Sequence, residues 1–115
     1  MGLEVKGIIP AMATPMSDSE DIDEAGTREL INYLIDSGVH GIFICGSQGE
    51  CYALTEEEKK WIISIAVDEV NGRVPVYAGT GATTTKTTIR LSKYAEDAGA
   101  DAVTVKYLIG KCHIW

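Results

Sequence analysis

The sequence predicts an α/β protein in which parallel strands are covered by helices. Four short runs, 7–13, 41–45, 74–78 and 102–105, are apolar and rich in β-branched residues. Continuous apolar character without alternation is typical of strands that are buried on both faces, as in a parallel sheet. Segments with helical periodicity separate the runs. The predicted order is therefore strand, helix, strand, helix, strand, helix, strand.

The first two predicted helices have an apolar stripe and a clear start. The first covers 23–37, and its stripe consists of Leu30, Ile31, Leu34 and Ile35. The second follows Thr55, which has the capping-box spacing with Glu58 because their side chains can each accept the other's backbone N–H. In this second helix we expect Ile62, Ile65, Ala66 and Val70 to be buried.

The third predicted helix runs from Thr84 to Asp97, with Thr83 or Thr84 as its N-cap. The residues available for packing are Ile89, Leu91, Ala95 and Ala98. Three aromatic residues at helical positions are expected to pack or to lie on the surface: Tyr33, Trp61 and Tyr94.

Glycine follows the last turn of each predicted helix, at Gly38, Gly72 and Gly99. A left-handed residue commonly ends a helix at this position. The repeated unit of strand, loop, helix and glycine is about 30 residues long, and it implies parallel strands with right-handed crossovers. A small doubly wound sheet and the first half of a closed (β/α)8 barrel both accept this order.

Composition narrows the function. The 115 residues are 45% hydrophobic and 23% charged, which predicts one globular domain covering 1–115. The formal net charge of −7 disfavours nucleic acid as a partner, because the phosphate backbone is also negative. The sequence contains no apolar run of bilayer length and does not start like a signal peptide, so we expect a cytoplasmic protein without membrane contact.

The cysteines and histidines predict neither a metal site nor a cofactor. Cys45, Cys51 and Cys112 have no metal-ligand spacing. A structural zinc ion takes about four ligands, and His40 is the only histidine besides His113. We expect reduced thiols.

Ligands of α/β proteins bind beyond the carboxyl ends of the strands, so the loops there are the candidates. The strongest is 46–50, Gly-Ser-Gln-Gly-Glu. Its glycines allow a tight turn whose amides can bind a carboxylate, and Ser47 adds a hydroxyl. A plain turn between strand and helix explains the same pattern. For Glu50 we expect structural hydrogen bonds to neighbouring amides rather than a role as a base.

The stretch 79–81, Gly-Thr-Gly, invites comparison with a dinucleotide-binding fingerprint. The sixth place of that fingerprint takes glycine or alanine, whereas Thr84 stands here, and Lys106 lies where an acid is expected. We therefore predict a tight turn followed by a threonine cap. A small doubly wound phosphate-binding domain is a further alternative. Such a domain is expected to have an acidic residue at the end of its first strand, where 13–15 reads Ala-Thr-Pro.

Three regions in order resemble the dihydrodipicolinate synthase and N-acetylneuraminate lyase family. They read GIIPAMATPM, SGVHGIFICGSQGECYALTEEEKK and GRVPVYAGTGATTTKTTIRLSKYAEDAGADAVTV. The resemblance covers 7–105 and leaves 106–115 as an atypical tail. It implies the N-terminal half of a (β/α)8 TIM barrel from a pyruvate-dependent lyase or class I aldolase, which forms a Schiff base on a lysine. Family members are commonly homotetramers.

The resemblance also implies site residues. The family's Gly-Thr/Ser-Thr-Gly-Glu motif matches 46–50, which puts Ser47 in the proton-relay position and assigns the substrate carboxylate to Ser47 and Gln48. Gln48 departs from the motif because glutamine has no hydroxyl, so only the amide contact is retained. This change points to a relative with another aldehyde partner.

The tail departs further. The family continues from the fourth strand into a Pro-Tyr pair, whereas 106–108 reads Lys-Tyr-Leu, and Tyr107 comes too early for the relay role. The Schiff-base lysine belongs on the sixth strand, and neither Lys106 nor Lys111 matches it. We expect a fragment that is inactive alone and self-associates, because its first and fourth strands are open edges. The alternative is a non-catalytic half barrel that assembles and binds small carboxylates, such as the 2-oxo acid pyruvate, at Ser47 and Gln48.

Overall fold

The computed structural model describes residues 3–108 and 111–113, with side chains described for 3–105. Three helices alternate with three parallel strands, and a fourth strand follows. The helices are α1 (Glu24–Asp36), α2 (Glu56–Val70) and α3 (Thr85–Ala98). The strands are β1 (Ile42–Ile44), β2 (Val76–Gly79), β3 (Ala102–Leu108) and β4 (Lys111–His113), and a 3-10 turn covers Cys51–Ala53.

The strands lie in the sheet in the same order as in the sequence, β1-β2-β3-β4. The first three are parallel: Ile42 lies opposite Val76, and Tyr77 lies opposite Ala102. A doubly wound sheet has a point where the strand order reverses, and the described strands have none. The order therefore favours the barrel half over the doubly wound alternative.

The segment 7–13 occupies the predicted place beside β1 but is not a regular strand. Ala11 forms an isolated parallel bridge with Phe43. The Phe43 amide donates to the Pro10 carbonyl at 3.0 Å, and the Met12 amide donates to the Phe43 carbonyl at 2.8 Å. Pro10 has no amide hydrogen to donate, so the ladder is interrupted there. The prediction was right about the neighbour of β1 and wrong about a continuous strand.

The tail also differs from its prediction. β3 continues to Leu108 instead of ending at Val105, and β4 pairs with it in antiparallel orientation, with Val105 opposite His113. The prediction of an open edge on this strand was therefore wrong. The expectation rested on a half barrel in which the fourth strand has no parallel neighbour, but an antiparallel segment can also satisfy the backbone groups of a strand edge.

The core lies between the sheet and the helices. Its buried members include Ile31, Ile42, Ile44, Ile62, Ile63, Ala66, Val70, Val76, Ala78 and Ala95. Leu91 and Ala95 of α3 are buried as predicted, but Ile89 is 48% exposed, so its predicted packing role is wrong. Residues two apart on a helix do not share a face, which is why Leu91 and Ile89 cannot both point at the sheet. None of the helices in the described ranges is long and apolar enough to cross a bilayer.

The helix ends follow local sequence signals. The capping box of α2 is present, with the Glu58 amide 3.1 Å from Thr55 Oγ1 and the Thr55 amide 2.9 Å from Glu58 Oε1. Thr84 caps α3, as one of the two predicted residues. The three glycines expected to end helices all have positive φ: Gly38, Gly72 and Gly99. These turns fix where each following strand begins.

An ion-pair network joins α1 to α2. Arg28 Nη1 lies 2.7 Å from Asp68 Oδ2 and 2.9 Å from Glu69 Oε1. Hydrogen bonds from Asn32 and then Arg28 lower the pKa of Glu69 below its usual value. A lowered carboxylate pKa adds stability that is present above the unfolded-state pKa and lost as the pH falls through the folded-state pKa. The network thus orients the two helices most firmly near neutral pH.

Candidate functional site

The loops that follow β1 and β2 touch at the carboxyl edge of the sheet. A Cβ built on Gly79, the last residue of β2, would lie 2.2 Å from the Cys45 carbonyl oxygen and 3.3 Å from the Gly46 nitrogen. Only glycine permits backbones to approach this closely. The candidate loop after β1 therefore packs directly against the end of β2, the neighbouring strand.

Residues 46–50 form a compact turn, called here the 46–50 turn. The Gly49 amide donates to the Gly46 carbonyl at 3.1 Å, and the Glu50 amide donates to the Ser47 carbonyl at 3.0 Å. The Cys51 amide also reaches the Gly46 carbonyl, at 3.2 Å. The two glycines are buried, whereas Ser47 and Gln48 are exposed. The turn thus presents outward the two residues that the resemblance assigns to a carboxylate.

The amide of Gln48 is a free donor. It makes no hydrogen bond to any of the described residues. Exposed amides of a tight turn bind anions because their dipoles converge on one point. The Gln48 amide therefore has no competing acceptor among the described residues.

The backbone is strained on both sides of this turn. Cys45 has φ 57° and Glu50 has φ 56°, both in the left-handed region. Residues with a Cβ rarely adopt this conformation, which costs roughly 1–2 kcal/mol each. Such strain persists only where surrounding contacts fix the backbone, and it concentrates at ligand-binding sites.

Thr14 is the contact that sequence reasoning missed. It follows the segment 7–13, and its Oγ1 donates to the Gly49 carbonyl at 2.8 Å. The sequence by itself predicts no role for Thr14. Its position directly after the first extended segment was the available signal, since strand ends converge at one edge of the sheet.

Glu50 does not make the structural hydrogen bonds that we expected. Its side chain is exposed and has no hydrogen bond within the described residues. The nearby amides of Gly49, Glu50 and Cys51 all donate to the carbonyls of Gly46 or Ser47. These three amides are therefore not available to the Glu50 carboxylate, and the prediction was wrong.

The stretch Gly79-Thr80-Gly81 has a structural role. Thr80 is fully buried, its hydroxyl lies 2.8 Å from Ser92 Oγ, and its amide donates to the Thr104 carbonyl at 3.0 Å. These bonds join the loop to α3 and β3. The hydroxyl and amide of Thr80 therefore have structural partners, and Thr84 caps α3 as predicted.

The cysteines beside the turn are free thiols. Cys45 is buried, and burial raises its thiol pKa to about 12, so the thiol stays protonated and is a poor nucleophile. The described residues include no group of three or more His, Cys, Asp or Glu side chains placed to hold a metal ion. The side chains of Lys106, Tyr107, Lys111, Cys112 and His113 lie outside the described residues.

Comparison with known proteins identifies the family. The dihydrodipicolinate synthetase family matches residues 4–106. The 4-hydroxy-tetrahydrodipicolinate synthase of Methanothermobacter thermautotrophicus is 48% identical over 103 residues, which are 90% of this chain and 36% of that protein.

Two solved structures extend the match to the fold. The structure of YagE from Escherichia coli K12 in complex with pyruvate is 46% identical with a TM-score of 0.84, and the match covers 86% of this chain and 33% of that one. The N-acetylneuraminate lyase of Mycoplasma synoviae is 34% identical with a TM-score of 0.83, over 90% and 37% of the two chains. The chain thus spans about a third of the length of these relatives. It belongs to the dihydrodipicolinate synthetase family, and its alternating strands and helices match the N-terminal half of the TIM barrel of that family.

Proposed function

We propose that this chain provides the carboxylate-binding part of a pyruvate site in a Schiff-base lyase or aldolase. The observation that carries the proposal is the exposed 46–50 turn at the carboxyl edge of the sheet, with the Gln48 amide unpaired in the described part of the chain. The structure of YagE, a member of the same family, was solved with pyruvate. The turn and this relative together support the proposal that the described half of the barrel binds a 2-oxo acid by its carboxylate.

Each residue of the proposed site has a distinct role. The Gln48 amide donates a hydrogen bond to the carboxylate, and the Ser47 hydroxyl takes the place of a proton relay. A serine hydroxyl both donates and accepts, which is what proton transfer between substrate and solvent requires. Gln48 offers a longer side chain with a carboxamide instead of a second hydroxyl, so the surface beside the carboxylate has a different shape and polarity. We assign this difference to the choice of the second, aldehyde substrate.

The Schiff base itself requires a lysine that this chain does not provide in the matching position. The reacting amine must be unprotonated, which enzymes achieve by enclosing it in a desolvated site. Lys106 and Lys111 lie on β3 and β4 and do not match the position expected for the family's lysine. We infer that the 115-residue chain alone binds pyruvate without reacting with it.

The test is a titration of the ¹⁵N-labelled chain with pyruvate, followed by amide NMR. We expect the Gln48 resonance to shift with saturation, because its amide gains a charged acceptor. Acetone, which lacks the carboxylate, is the matched control and should leave the resonance in place. Pyruvate followed by borohydride should leave the intact mass unchanged. A stoichiometric adduct on one lysine would contradict the inferred lack of reaction, and an unmoved Gln48 resonance would contradict carboxylate binding.

Assembly of half barrels is the second candidate function, and one feature favours it. Val5, just before the segment 7–13, and Ile8, within it, are 67% and 68% exposed. Apolar surface of this kind is commonly covered by a partner. If assembly is the function, light scattering during gel filtration should give one discrete dimer mass. A heterogeneous distribution of masses would indicate unspecific association instead. The net charge of −7 opposes unspecific association, because like-charged chains repel each other.

A further inference from the structure

We propose that Thr14 is a positioning residue, whose hydroxyl sets the orientation of the Gln48 amide through two successive peptide groups. The inference rests on the proposed carboxylate site and adds a residue outside the family motif at 46–50. Thr14 does not contact the exposed face of the turn. It acts from behind, on the carbonyl of the buried Gly49.

The first step of the coupling is the peptide group between Gly49 and Glu50. Its carbonyl accepts from Thr14 Oγ1 at 2.8 Å, and its N–H donates to the Ser47 carbonyl at 3.0 Å. This peptide group is therefore held at both ends. Rotating it would break both hydrogen bonds and would change the φ angle of Glu50.

The second step is the peptide group between Ser47 and Gln48. The Ser47 carbonyl, which accepts from Glu50, belongs to the same rigid plane as the Gln48 N–H. Fixing the direction of that carbonyl therefore fixes the direction of the amide on its other side. The hydroxyl of Thr14 thus controls where the Gln48 amide points, although the two groups do not touch.

Backbone strain in the turn explains why the hydrogen bond from Thr14 matters. The left-handed conformation of Glu50, with φ 56°, is unfavourable for a residue with a Cβ, so the peptide before it tends to rotate away. At the other end, Cys45 is equally strained, and the close contact of its carbonyl with Gly79 holds it. At the Glu50 end, the corresponding contact is the hydroxyl of Thr14.

The packing around Gly49 is tight, which leaves no room for another group to replace the hydrogen bond from Thr14. A Cβ on Gly49 would lie 3.1 Å from Thr14 Oγ1, 3.3 Å from the Met12 carbonyl oxygen and 3.3 Å from the Cys45 nitrogen. The turn is therefore pressed against the end of the segment 7–13, with the threonine hydroxyl as the polar contact to the Gly49 carbonyl. Valine at this position keeps the shape of threonine and removes only the hydrogen bond.

The experiment compares Thr14→Val and Thr14→Ser with the unmodified full chain by the same pyruvate titration. We expect Thr14→Val to weaken pyruvate binding about tenfold, the effect of one lost hydrogen bond of ordinary strength, and to speed hydrogen exchange at the Glu50 amide. Thr14→Ser, which keeps the hydroxyl, should bind within about twofold of the unmodified chain. Thr27→Val is the matched control, because it removes a hydroxyl that donates to the carbonyl of Asp23, the N-cap of α1, and it should leave pyruvate binding unchanged.

A double variant separates positioning from a general structural role. Glycine adopts the left-handed conformation without cost, so in a Glu50→Gly background the turn should depend less on Thr14. We expect Thr14→Val to weaken binding by less than about threefold in that background. An equal loss in both backgrounds, equal binding by Thr14→Val and the unmodified chain, or failure of Thr14→Val to fold in both backgrounds would overturn the inference. If the unmodified chain binds no pyruvate while Thr14→Val still speeds Glu50 exchange, the proposed function fails and the positioning by Thr14 stands.

Discussion

Replacing Gly79 with alanine is expected to lower the free energy of unfolding by about 3 kcal/mol, at the upper end of overpacking effects. The new methyl group would lie 2.2 Å from the Cys45 carbonyl oxygen and 2.8 Å from its carbonyl carbon. Both are backbone atoms at the end of a strand, so they cannot move aside as a flexible side chain can. Urea unfolding followed by circular dichroism measures the loss. A loss below about 1 kcal/mol would show that the two loops lie further apart in solution.

A matched glycine control exists in α1. A Cβ on Gly26 would approach Asp23 Oδ2 at 2.6 Å, but that atom is the end of a flexible side chain. Moving it weakens the helix cap, while alanine favours the helix over glycine, so the two effects oppose each other. We expect Gly26→Ala to change stability by less than about 1 kcal/mol. Gly79→Ala should also abolish the pyruvate-induced shift of the Gln48 amide resonance. The added methyl group displaces the Cys45 carbonyl, which precedes the 46–50 turn.

Ile31→Ala is the second change with a large expected effect, a loss of about 2–5 kcal/mol. Ile31 of α1 is fully buried in the cluster that joins the helices to the sheet. Removing its methyl and methylene groups forfeits their burial and leaves a cavity that rigid neighbours fill only in part. The same unfolding measurement applies.

Tyr33→Ala is the control for this prediction, because Tyr33 lies on the same helix and is 68% exposed. We expect it to change the free energy of unfolding by no more than about 0.5 kcal/mol. Equal losses for the two variants would mean that Ile31 of α1 is not packed in the core in solution. A large loss for Ile31→Ala alone would show that this half of the barrel has a core of its own.

Local signals predicted the helices correctly because the groups involved are close in sequence. Thr55 and Glu58 satisfy each other's amides across three residues, and Gly99 ends α3 with a φ of 105° that favours glycine. The continuous apolar strands predicted a parallel sheet, since burial on both faces leaves no polar side. The motif at 46–50 follows the end of β1, so the sequence also predicted that this turn lies at the carboxyl edge of the sheet.

The errors came from contacts between distant residues. Pro10 interrupts the pairing with β1, which the apolar pattern of 7–13 does not reveal. Pairing of β4 with β3 depends on chain direction and register, which no side-chain periodicity encodes. Glu50 was assigned amide partners that the turn's own carbonyls had already taken.

By itself, the sequence determined the order of strands and helices, the ends of the helices, the family and the place of the 46–50 turn. Each of these follows from residue type within one turn or one strand, or from a motif. The tertiary structure alone decided that the backbone is strained at Cys45 and Glu50. It also decided that Gly79 packs against the Cys45 carbonyl and that Thr14 donates to the Gly49 carbonyl. Those contacts join residues 34 or 35 positions apart. Only folding brings their atoms within hydrogen-bonding or van der Waals distance, so no local pattern can carry them.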